Sequence, residues 1–186
     1  MSYKQTAIII DIDGTAALGI GDHRKAYDYH LCGNDKPNLS VWCIIEAFST
    51  LDLRLFSSAN MKFIFLSGRE NVSFPGKSER KDKCYRRAMY ADDEYDSCYS
   101  LTYAWLKYHL TCSGIMNKNK ETNDRWDLFM RPADVYNRDD EIKYQIYHDF
   151  IKDEYEVLFV LDDRNQVVDM WRDIGLTCLQ VADGNF

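Results

Sequence analysis

The chain alternates short apolar runs with longer segments in which apolar residues recur at helical spacing. The first run, residues 7–10, is apolar at every position, which is typical of a strand buried on both faces of a parallel sheet. Strands are predicted at 6–11, 61–66, 126–130, 157–161 and 177–181, and helices at 39–53, 99–110, 139–155 and 166–174. This alternation predicts an α/β fold with a doubly wound, mostly parallel sheet.

Two long irregular stretches interrupt the pattern. The polar stretch 12–36 follows the first strand and is predicted to be a functional or mobile flap. The stretch 70–98 follows the second strand and is predicted to be an insertion into a single domain that spans 1–186. It carries a basic cluster, defined as Lys77, Arg80, Lys81, Lys83, Arg86 and Arg87, and then an acidic run, Asp92, Asp93, Glu94 and Asp96. The basic cluster is either a solvated face or a track for a nucleic-acid backbone.

Composition narrows the class of protein. The 186 residues are 46% hydrophobic and 28% charged, which indicates a globular chain. The net charge of −7 argues against a general nucleic-acid binder, although it leaves room for a local basic patch. The six cysteines form no C-x-x-C pair, so a reduced protein of the cytoplasm is expected and a zinc site is not. No apolar run approaches the length of a membrane span.

Acidic residues stand at the ends of two predicted strands. Asp11 and Asp13 end the first strand, and Asp162 and Asp163 end the fourth. Right-handed crossovers and a reversal of chain direction would place these strands side by side, so the carboxylates would converge. Carboxylates this close repel one another, and a hard divalent cation, Mg²⁺ first, would relieve that repulsion. The alternative is that these acidic strand ends never meet.

Phosphate ligands are available at the other strand ends. Ser67 and Arg69 follow the second strand, and Lys143 lies early in the helix after the third. Asp139 precedes Lys143 by one helical turn, which by spacing alone is an ordinary helix ion pair worth about 0.3–0.5 kcal/mol. If a metal is held here, one aspartate could act as a nucleophile toward phosphorus.

These residues resemble the four motifs of the haloacid dehalogenase (HAD) superfamily of phosphotransferases. The motif residues are Asp11-Ile12-Asp13-Gly14-Thr15, Ser67, Lys143 and Asp162-Asp163, in the superfamily's order and at its strand ends. A narrower similarity covers 67–70, 138–143, 161–172 and 178–186, which resemble the 3′-phosphatase domain of phage-type polynucleotide kinase–phosphatase. The stretch from 71 to about 99 is longer than the equivalent loop of that family.

The resemblance implies a HAD fold and Mg²⁺-dependent hydrolysis of a phosphomonoester through a phospho-aspartate on Asp11. Asp13 would protonate the leaving hydroxyl and then activate water. The other implied roles are metal binding by Asp11, the backbone carbonyl of Asp13, Asp162 and Asp163; phosphate or substrate binding by Ser67, Gly68, Arg69, Arg24 and Lys143; and orientation of Lys143 by Asp139. The implied substrate is a DNA or RNA end that bears a 3′-phosphate, and a separate polynucleotide kinase or ligase is an expected partner.

Further expectations concern the proton of Asp13 and the function of the site. Because Asp13 must carry a proton to act as an acid, we expect burial and neighbouring carboxylates to raise its pKa. The substrate has an alternative, since the acidic composition also suits a small-molecule phosphatase such as a nucleotidase. A catalytically inactive binding module is the alternative of another class.

Overall fold

The computed structural model describes residues 4–50, 61–74, 95–116 and 125–184. The strands are β1 (Gln5–Ile10), β2 (Ala17–Leu18), β3 (Lys36–Pro37), β4 (Lys62–Glu70), β5 (Trp126–Arg131), β6 (Tyr155–Arg164) and β7 (Cys178–Gly184). The helices are α1 (Leu39–Thr50), α2 (Cys98–Cys112), α3 (Asp139–Ile146) and α4 (Asn165–Asp173), with a 3-10 helix at Tyr29–Asn34. The predicted helices and strands are therefore present, with shifted ends.

The main sheet has five strands in the order β5-β4-β1-β6-β7. Every described pair of neighbours in it is parallel. The chain builds outward from β1 through β4 to β5, and then returns to place β6 on the other side of β1. The prediction of a doubly wound parallel sheet with β1 and β6 at the point of reversal is confirmed, and such a point is where open α/β sheets bind ligands.

The first strand lies at the centre of the core. Its residues alternate between two hydrophobic clusters, because successive side chains of a strand point to opposite faces. Ile8 and Ile10 pack in the cluster that contains Trp42 of α1 and Trp105 of α2. Ala7 and Ile9 pack in the cluster that contains Trp171 of α4. A strand buried on both faces cannot shift its register without exposing apolar groups, so the residues at its end are firmly placed.

Several predicted ends were wrong. The helix predicted at 139–155 ends as α3 at Ile146, continues as a π-helical turn, Tyr147–Ile151, and gives way to β6 at Tyr155. Tyr147, Tyr155 and Val157 all pack against one core cluster, so apolar spacing alone did not reveal where helix gives way to strand. Strands β4 and β6 also run longer than predicted, to Glu70 and Arg164, because pairing with β5 and β7 resumes after a register shift.

The flap and the insertion both begin at the carboxyl-terminal edge of the sheet. In the flap, β2 and β3 form an antiparallel pair followed closely by α1, and Cys32 of the 3-10 helix packs with Cys98 and Leu101 of α2. In the insertion, Ser73 and Ser97 form an antiparallel bridge. The basic cluster lies outside the described residues. Within the described ranges, no helix is long and apolar enough to cross a membrane.

Candidate active site

The carboxyl ends of β1, β4 and β6 open into one cavity of about 690 Å³. Its lining includes Asp11, Asp13, Gly68, Arg69, Asp139, Lys143, Asp162 and Asp163. The carboxylates predicted to converge therefore do converge. Gly14 turns the chain directly after β1 with a φ of +85°, a backbone conformation that strongly favours glycine. A side chain there would also overlap the carboxylate of Asp163.

Three buried aspartates form the centre of the site. One carboxylate oxygen each from Asp11, Asp162 and Asp163 lies within 4.8 Å of the others. Lys143 of α3 reaches the same point, and its Nζ donates to Oδ1 of Asp11 at 2.7 Å and to Oδ2 of Asp162 at 2.9 Å. Asp139 lies farther from the same nitrogen, with its Oδ2 3.7 Å away. One ammonium group thus faces an excess of negative charge.

The pKa shifts follow from this excess. Burial raises the pKa of Asp11 well above its ordinary value, and Lys143 opposes that shift. Burial also raises the pKa of Asp163, to about 6, and the charge of Asp162 adds to the shift. Burial alone would lower the pKa of Lys143, but the carboxylates of Asp11 and Asp162 raise it well above its ordinary value. Three clustered oxygen ligands with surplus negative charge fit a hard divalent cation.

The two adjacent aspartates of β6 have different surroundings. Asp162 accepts hydrogen bonds at Oδ2 from Lys143 and from the indole of Trp171, and at Oδ1 from the backbone of Arg164. Asp163 accepts at Oδ1 from the hydroxyl of Thr15 at 3.2 Å. Both oxygens of Asp162 are therefore engaged by donors of the chain, which leaves Asp163 the better placed of the two to bind a cation.

Asp13 belongs to a second charged group, together with Arg24, Asp35 and Arg69. Arg69 donates to both carboxylate oxygens of Asp13, from Nε at 2.8 Å and from Nη2 at 2.7 Å, and Arg24 also donates to Asp13. Asp35 accepts from Nη2 of Arg69 at 2.6 Å and from Nη2 of Arg24 at 2.7 Å. The guanidinium groups of both arginines are completely buried between the two aspartates.

This second group corrects the expectation for the pKa of Asp13. Burial would raise that pKa, but the charges of Arg69 and Arg24 and their hydrogen bonds outweigh burial and lower it below its ordinary value. The prediction of a raised pKa is therefore wrong for this arrangement. The sequence shows the acidic neighbours of Asp13 but not the two arginines that the folded chain places against it.

Of the predicted phosphate or substrate ligands, Lys143 belongs to the first charged group, and Arg69 and Arg24 belong to the second. Ser67 is buried at the end of β4, and its Oγ accepts from the backbone nitrogen of Arg69 at 3.1 Å. Gly68 lies so close to Asp139 that any side chain at position 68 would overlap that carboxylate. Both arginine side chains are fully buried, and of the two only Arg69 belongs to the lining of the cavity. A role for these residues in substrate binding stays a prediction.

Sequence reasoning missed several supporting residues. Asp35 ends the flap and has no motif around it, yet it joins Arg24 to Arg69. Thr102 of α2 accepts from Nη1 of Arg69 at 3.1 Å. Arg131 donates to the carbonyl of Gly68 at 2.9 Å and pairs with Asp139 at 3.4 Å. The only signal in the sequence was a charged or polar residue near a strand or helix end, which is too common to select these positions.

We expect the Asp35→Asn substitution to lower the phosphomonoester hydrolysis that the sequence motifs imply by at least about tenfold. It leaves two buried guanidinium groups facing one carboxylate, and breaking a buried ion pair on one side is strongly destabilising, by about 3–5 kcal/mol. The measurement is kcat and KM on p-nitrophenyl phosphate together with the free energy of unfolding. Asp28→Asn, a half-buried flap carboxylate outside this group, is the matched control. Wild-type kcat, KM and free energy of unfolding in Asp35→Asn would contradict a supporting role for Asp35 between the two arginines.

Comparisons with known families and proteins show what this chain is similar to. A family model described as the polynucleotide kinase PNKP phosphatase domain matches residues 5–101 and 87–186. Among curated proteins, the chain is similar to a putative bifunctional polynucleotide kinase/RNA ligase of Autographa californica nuclear polyhedrosis virus. The two are 24% identical over 169 residues, which is 90% of this chain and 18% of the viral protein.

Two solved structures have a similar fold. One is described as the structure of the Pnkp1/Rnl/Hen1 RNA repair complex, with a TM-score of 0.66 and 28% identity over 98% of this chain and 44% of the matched one. The other, a structure of the Pnkp1/Rnl/Hen1 complex, has a TM-score of 0.66 and 27% identity, and covers 100% of this chain and 49% of the other. The chain thus spans less than half the length of either.

Proposed function

This chain belongs to the family of the polynucleotide kinase PNKP phosphatase domain, and from that membership we propose that it removes the 3′-phosphate from the end of a polynucleotide strand. The observation that carries the proposal is the contact of Lys143 with Asp11 inside the cluster of carboxylates. A buried carboxylate next to a fixed ammonium group, in a cavity that also holds Arg69, suits attack on a phosphomonoester.

In the proposed reaction, Asp11 attacks phosphorus and the bond to the leaving 3′-oxygen breaks, which forms a phospho-aspartate. Lys143 neutralises Asp11 as the dianionic phosphate approaches, and Ser67 and the backbone of Gly68 are the proposed hydrogen-bond donors to the phosphate oxygens. Water then attacks the phospho-aspartate and releases inorganic phosphate. Phosphoryl transfer depends chiefly on positioning and charge neutralisation, which these buried groups supply.

Asp13 is the proposed proton donor and then the proton acceptor, and its arginines explain how it could change role. In the structure Arg69 and Arg24 hold the pKa of Asp13 below its ordinary value. A substrate phosphate offers Arg69 a more highly charged acceptor, and each hydrogen bond that Arg69 transfers to the phosphate is lost to Asp13. Burial would then raise the proton affinity of Asp13 when the leaving oxygen needs a proton.

We also propose that the carboxylates hold Mg²⁺. Asp11 and Asp163 are the proposed side-chain ligands, with the backbone carbonyl of Asp13, and Asp162 contributes through its contact with Lys143. When bound, the ion would neutralise charge on the phosphate and on the carboxylates. Oxygen ligands without histidine or cysteine favour Mg²⁺ over zinc.

Magnesium binding should weaken as the pH falls through about 6. The pKa of Asp163 is raised to about 6, so below that pH a proton must leave before the ion binds. We expect the Kd for Mg²⁺, measured by calorimetry, to be at least about fourfold higher at pH 5.5 than at pH 7.5, the change expected when one ligand of that pKa is protonated. Equal affinity at pH 5.5 and 7.5 would contradict the proposed ligands.

The test of the function compares matched oligonucleotides that bear a 3′-phosphate or a 5′-phosphate with 3′- and 5′-mononucleotides, all in the presence of Mg²⁺. We expect the highest kcat/KM for the 3′-phosphorylated oligonucleotide and no release in Asp11→Asn. Preference for mononucleotides would identify a nucleotidase on the same site. No release beyond the Asp11→Asn control would support the inactive binding module.

The role of the basic cluster is tested with the same oligonucleotide substrate. Replacing Lys81, Lys83, Arg86 and Arg87 together by glutamine should raise KM for the oligonucleotide and leave p-nitrophenyl phosphate hydrolysis unchanged, if these residues follow the nucleic-acid backbone. We further propose that the chain acts with a polynucleotide kinase or ligase. The support is that the viral relative is described as a putative bifunctional polynucleotide kinase/RNA ligase.

A further inference from the structure

Two cysteine thiols lie together behind the arginine-aspartate group. Cys32 belongs to the 3-10 helix of the flap, and Cys98 is the first residue of α2. Both are completely buried, and they form a small cluster with Leu101. Their sulfurs contact the same hydroxyl, that of Thr102, at 3.7 Å from Cys32 and 3.9 Å from Cys98. The proposed phosphatase reaction uses neither thiol.

We propose that Cys32 and Cys98 are a peroxide-sensitive thiol pair, which oxidises to a disulfide between the flap and α2 and thereby lowers phosphatase activity. The bond would join two segments that are otherwise held by packing and by hydrogen bonds. Only the effect on activity rests on the proposed function; the formation of the bond does not.

The surroundings of Cys32 favour its thiolate form, which is the reactive one. The hydrogen bond from Cys98 lowers the pKa of Cys32 to about 7, against burial, and the charge of Arg69 lowers it further. Asp35 opposes that shift. Thiolate character separates Cys32 from ordinary buried cysteines, which are inert, whereas the hydrogen bond with Cys32 and burial raise the pKa of Cys98.

The cavity offers a route for a small oxidant. Tyr29 lines the catalytic cavity and also packs against the cluster that contains Cys32 and Cys98. This half-buried aromatic side chain therefore connects the thiol cluster with the space that substrate would occupy. Rotation of a partly exposed side chain is fast compared with the chemistry of peroxide oxidation, so the burial of the sulfurs does not prevent access by hydrogen peroxide.

The chemistry balances with hydrogen peroxide as the oxidant. The Cys32 thiolate attacks one peroxide oxygen, the O–O bond breaks, and the departing hydroxide takes a proton to become water. Cys32 is then a sulfenic acid. The Cys98 sulfur attacks the Cys32 sulfur, the S–O bond breaks, and the hydroxyl leaves as water with the proton of Cys98. Two thiols and one peroxide give one disulfide and two waters.

The link to the active site runs through Asp35 and Arg69. The backbone nitrogen of Asp35 donates to the carbonyl of Cys32 at 3.2 Å, so movement of Cys32 shifts the residue that holds both arginines. Thr102, which contacts both sulfurs, accepts from Nη1 of Arg69. A disulfide holds its sulfurs about 2.05 Å apart, much closer than a thiol hydrogen bond does, so the flap and α2 must shift toward each other.

The test uses the full chain with Cys43, Cys84 and Cys112 replaced by serine, so that only the buried cysteines described here remain. The protein is titrated with hydrogen peroxide, and the disulfide is mapped by mass spectrometry without reduction. We expect a Cys32–Cys98 cross-link and a loss of p-nitrophenyl phosphatase activity of at least about fivefold, reversed by dithiothreitol. Cys178→Ala, which removes a buried cysteine elsewhere, should respond in the same way as its parent.

Cys32→Ala and Cys98→Ala should form no cross-link, and Cys32→Ala should keep its activity in peroxide. The proposal is overturned if the parent forms no cross-link, if the cross-link leaves activity unchanged, or if Cys32→Ala loses activity to the same extent. The mapping requires only the parent protein, so a poorly folding variant does not obscure it. A chain that cross-links but hydrolyses no substrate would support the thiol pair and contradict the proposed function.

Discussion

Asp11→Asn should abolish phosphate release, with kcat lower by at least about 10⁴-fold, because removing a nucleophile typically costs that much or more. Asparagine keeps the shape of the side chain but has no anionic oxygen with which to attack phosphorus. Oδ1 of Asp11 is 2.7 Å from Nζ of Lys143, and its carboxylate belongs to the group of three oxygens proposed to hold the cation. The substitution therefore removes the proposed nucleophile and a proposed metal ligand together.

The same substitution should leave the protein folded. Burial raises the pKa of Asp11 well above its ordinary value, so a neutral side chain relieves repulsion with Asp162 and Asp163. The measurement is steady-state release of phosphate with Mg²⁺, together with the thermal midpoint of unfolding. Asp149→Asn, an exposed carboxylate, is the matched control and should keep full activity. Activity of Asp11→Asn within tenfold of wild type would exclude Asp11 as the nucleophile.

Lys143→Met should lower activity by at least about 10²-fold and also lower stability. Lys143 is 1% exposed and pairs with Asp11, Asp162 and Asp139. Its removal takes away the positive charge proposed to face the phosphate, and removing one such electrostatic contact costs about 10²–10³ in kcat. The uncompensated carboxylates also destabilise the fold, and breaking a buried ion pair in this way costs about 3–5 kcal/mol.

The loss of stability in Lys143→Met should depend on pH. Without the ammonium group, which opposes both shifts, the raised pKa values of Asp11 and Asp163 rise further. Groups whose pKa is raised in the folded state contribute stability at low pH and lose it as the pH rises through the folded-state value. We therefore expect a smaller difference from wild type at pH 5 than at pH 7.5.

Denaturant unfolding at the two pH values measures this effect, and Mg²⁺ should restore part of the stability at pH 7.5. Lys107→Met, an exposed lysine of α2, is the control and should show neither effect. A loss of stability in Lys143→Met that does not change with pH would mean that packing, and not charge, accounts for it.

Much of the fold followed from the order of the residues. Apolar runs of strand length, separated by helical periods, required parallel strands joined by crossovers, and the carboxyl ends of parallel strands share one edge. For that reason the approach of Asp11 to Asp162 and Asp163 could be predicted across about 150 residues. The end of α3 could not be predicted in the same way, because its apolar pattern continues through a π-helical turn into β6.

The sequence by itself determined the strand order around β1 and the convergence of Lys143 with the carboxylates there. The reason is that the spacing of apolar residues and the residues at strand ends are local features of the chain. The tertiary structure alone decided the partners of the flap. Asp35 and Thr102 contact Arg69 from segments whose paths depend on packing, and the arginines that lower the pKa of Asp13 come from two different segments. Electrostatic shifts depend on distances of a few ångströms, and such distances between remote segments are set only when the core is packed.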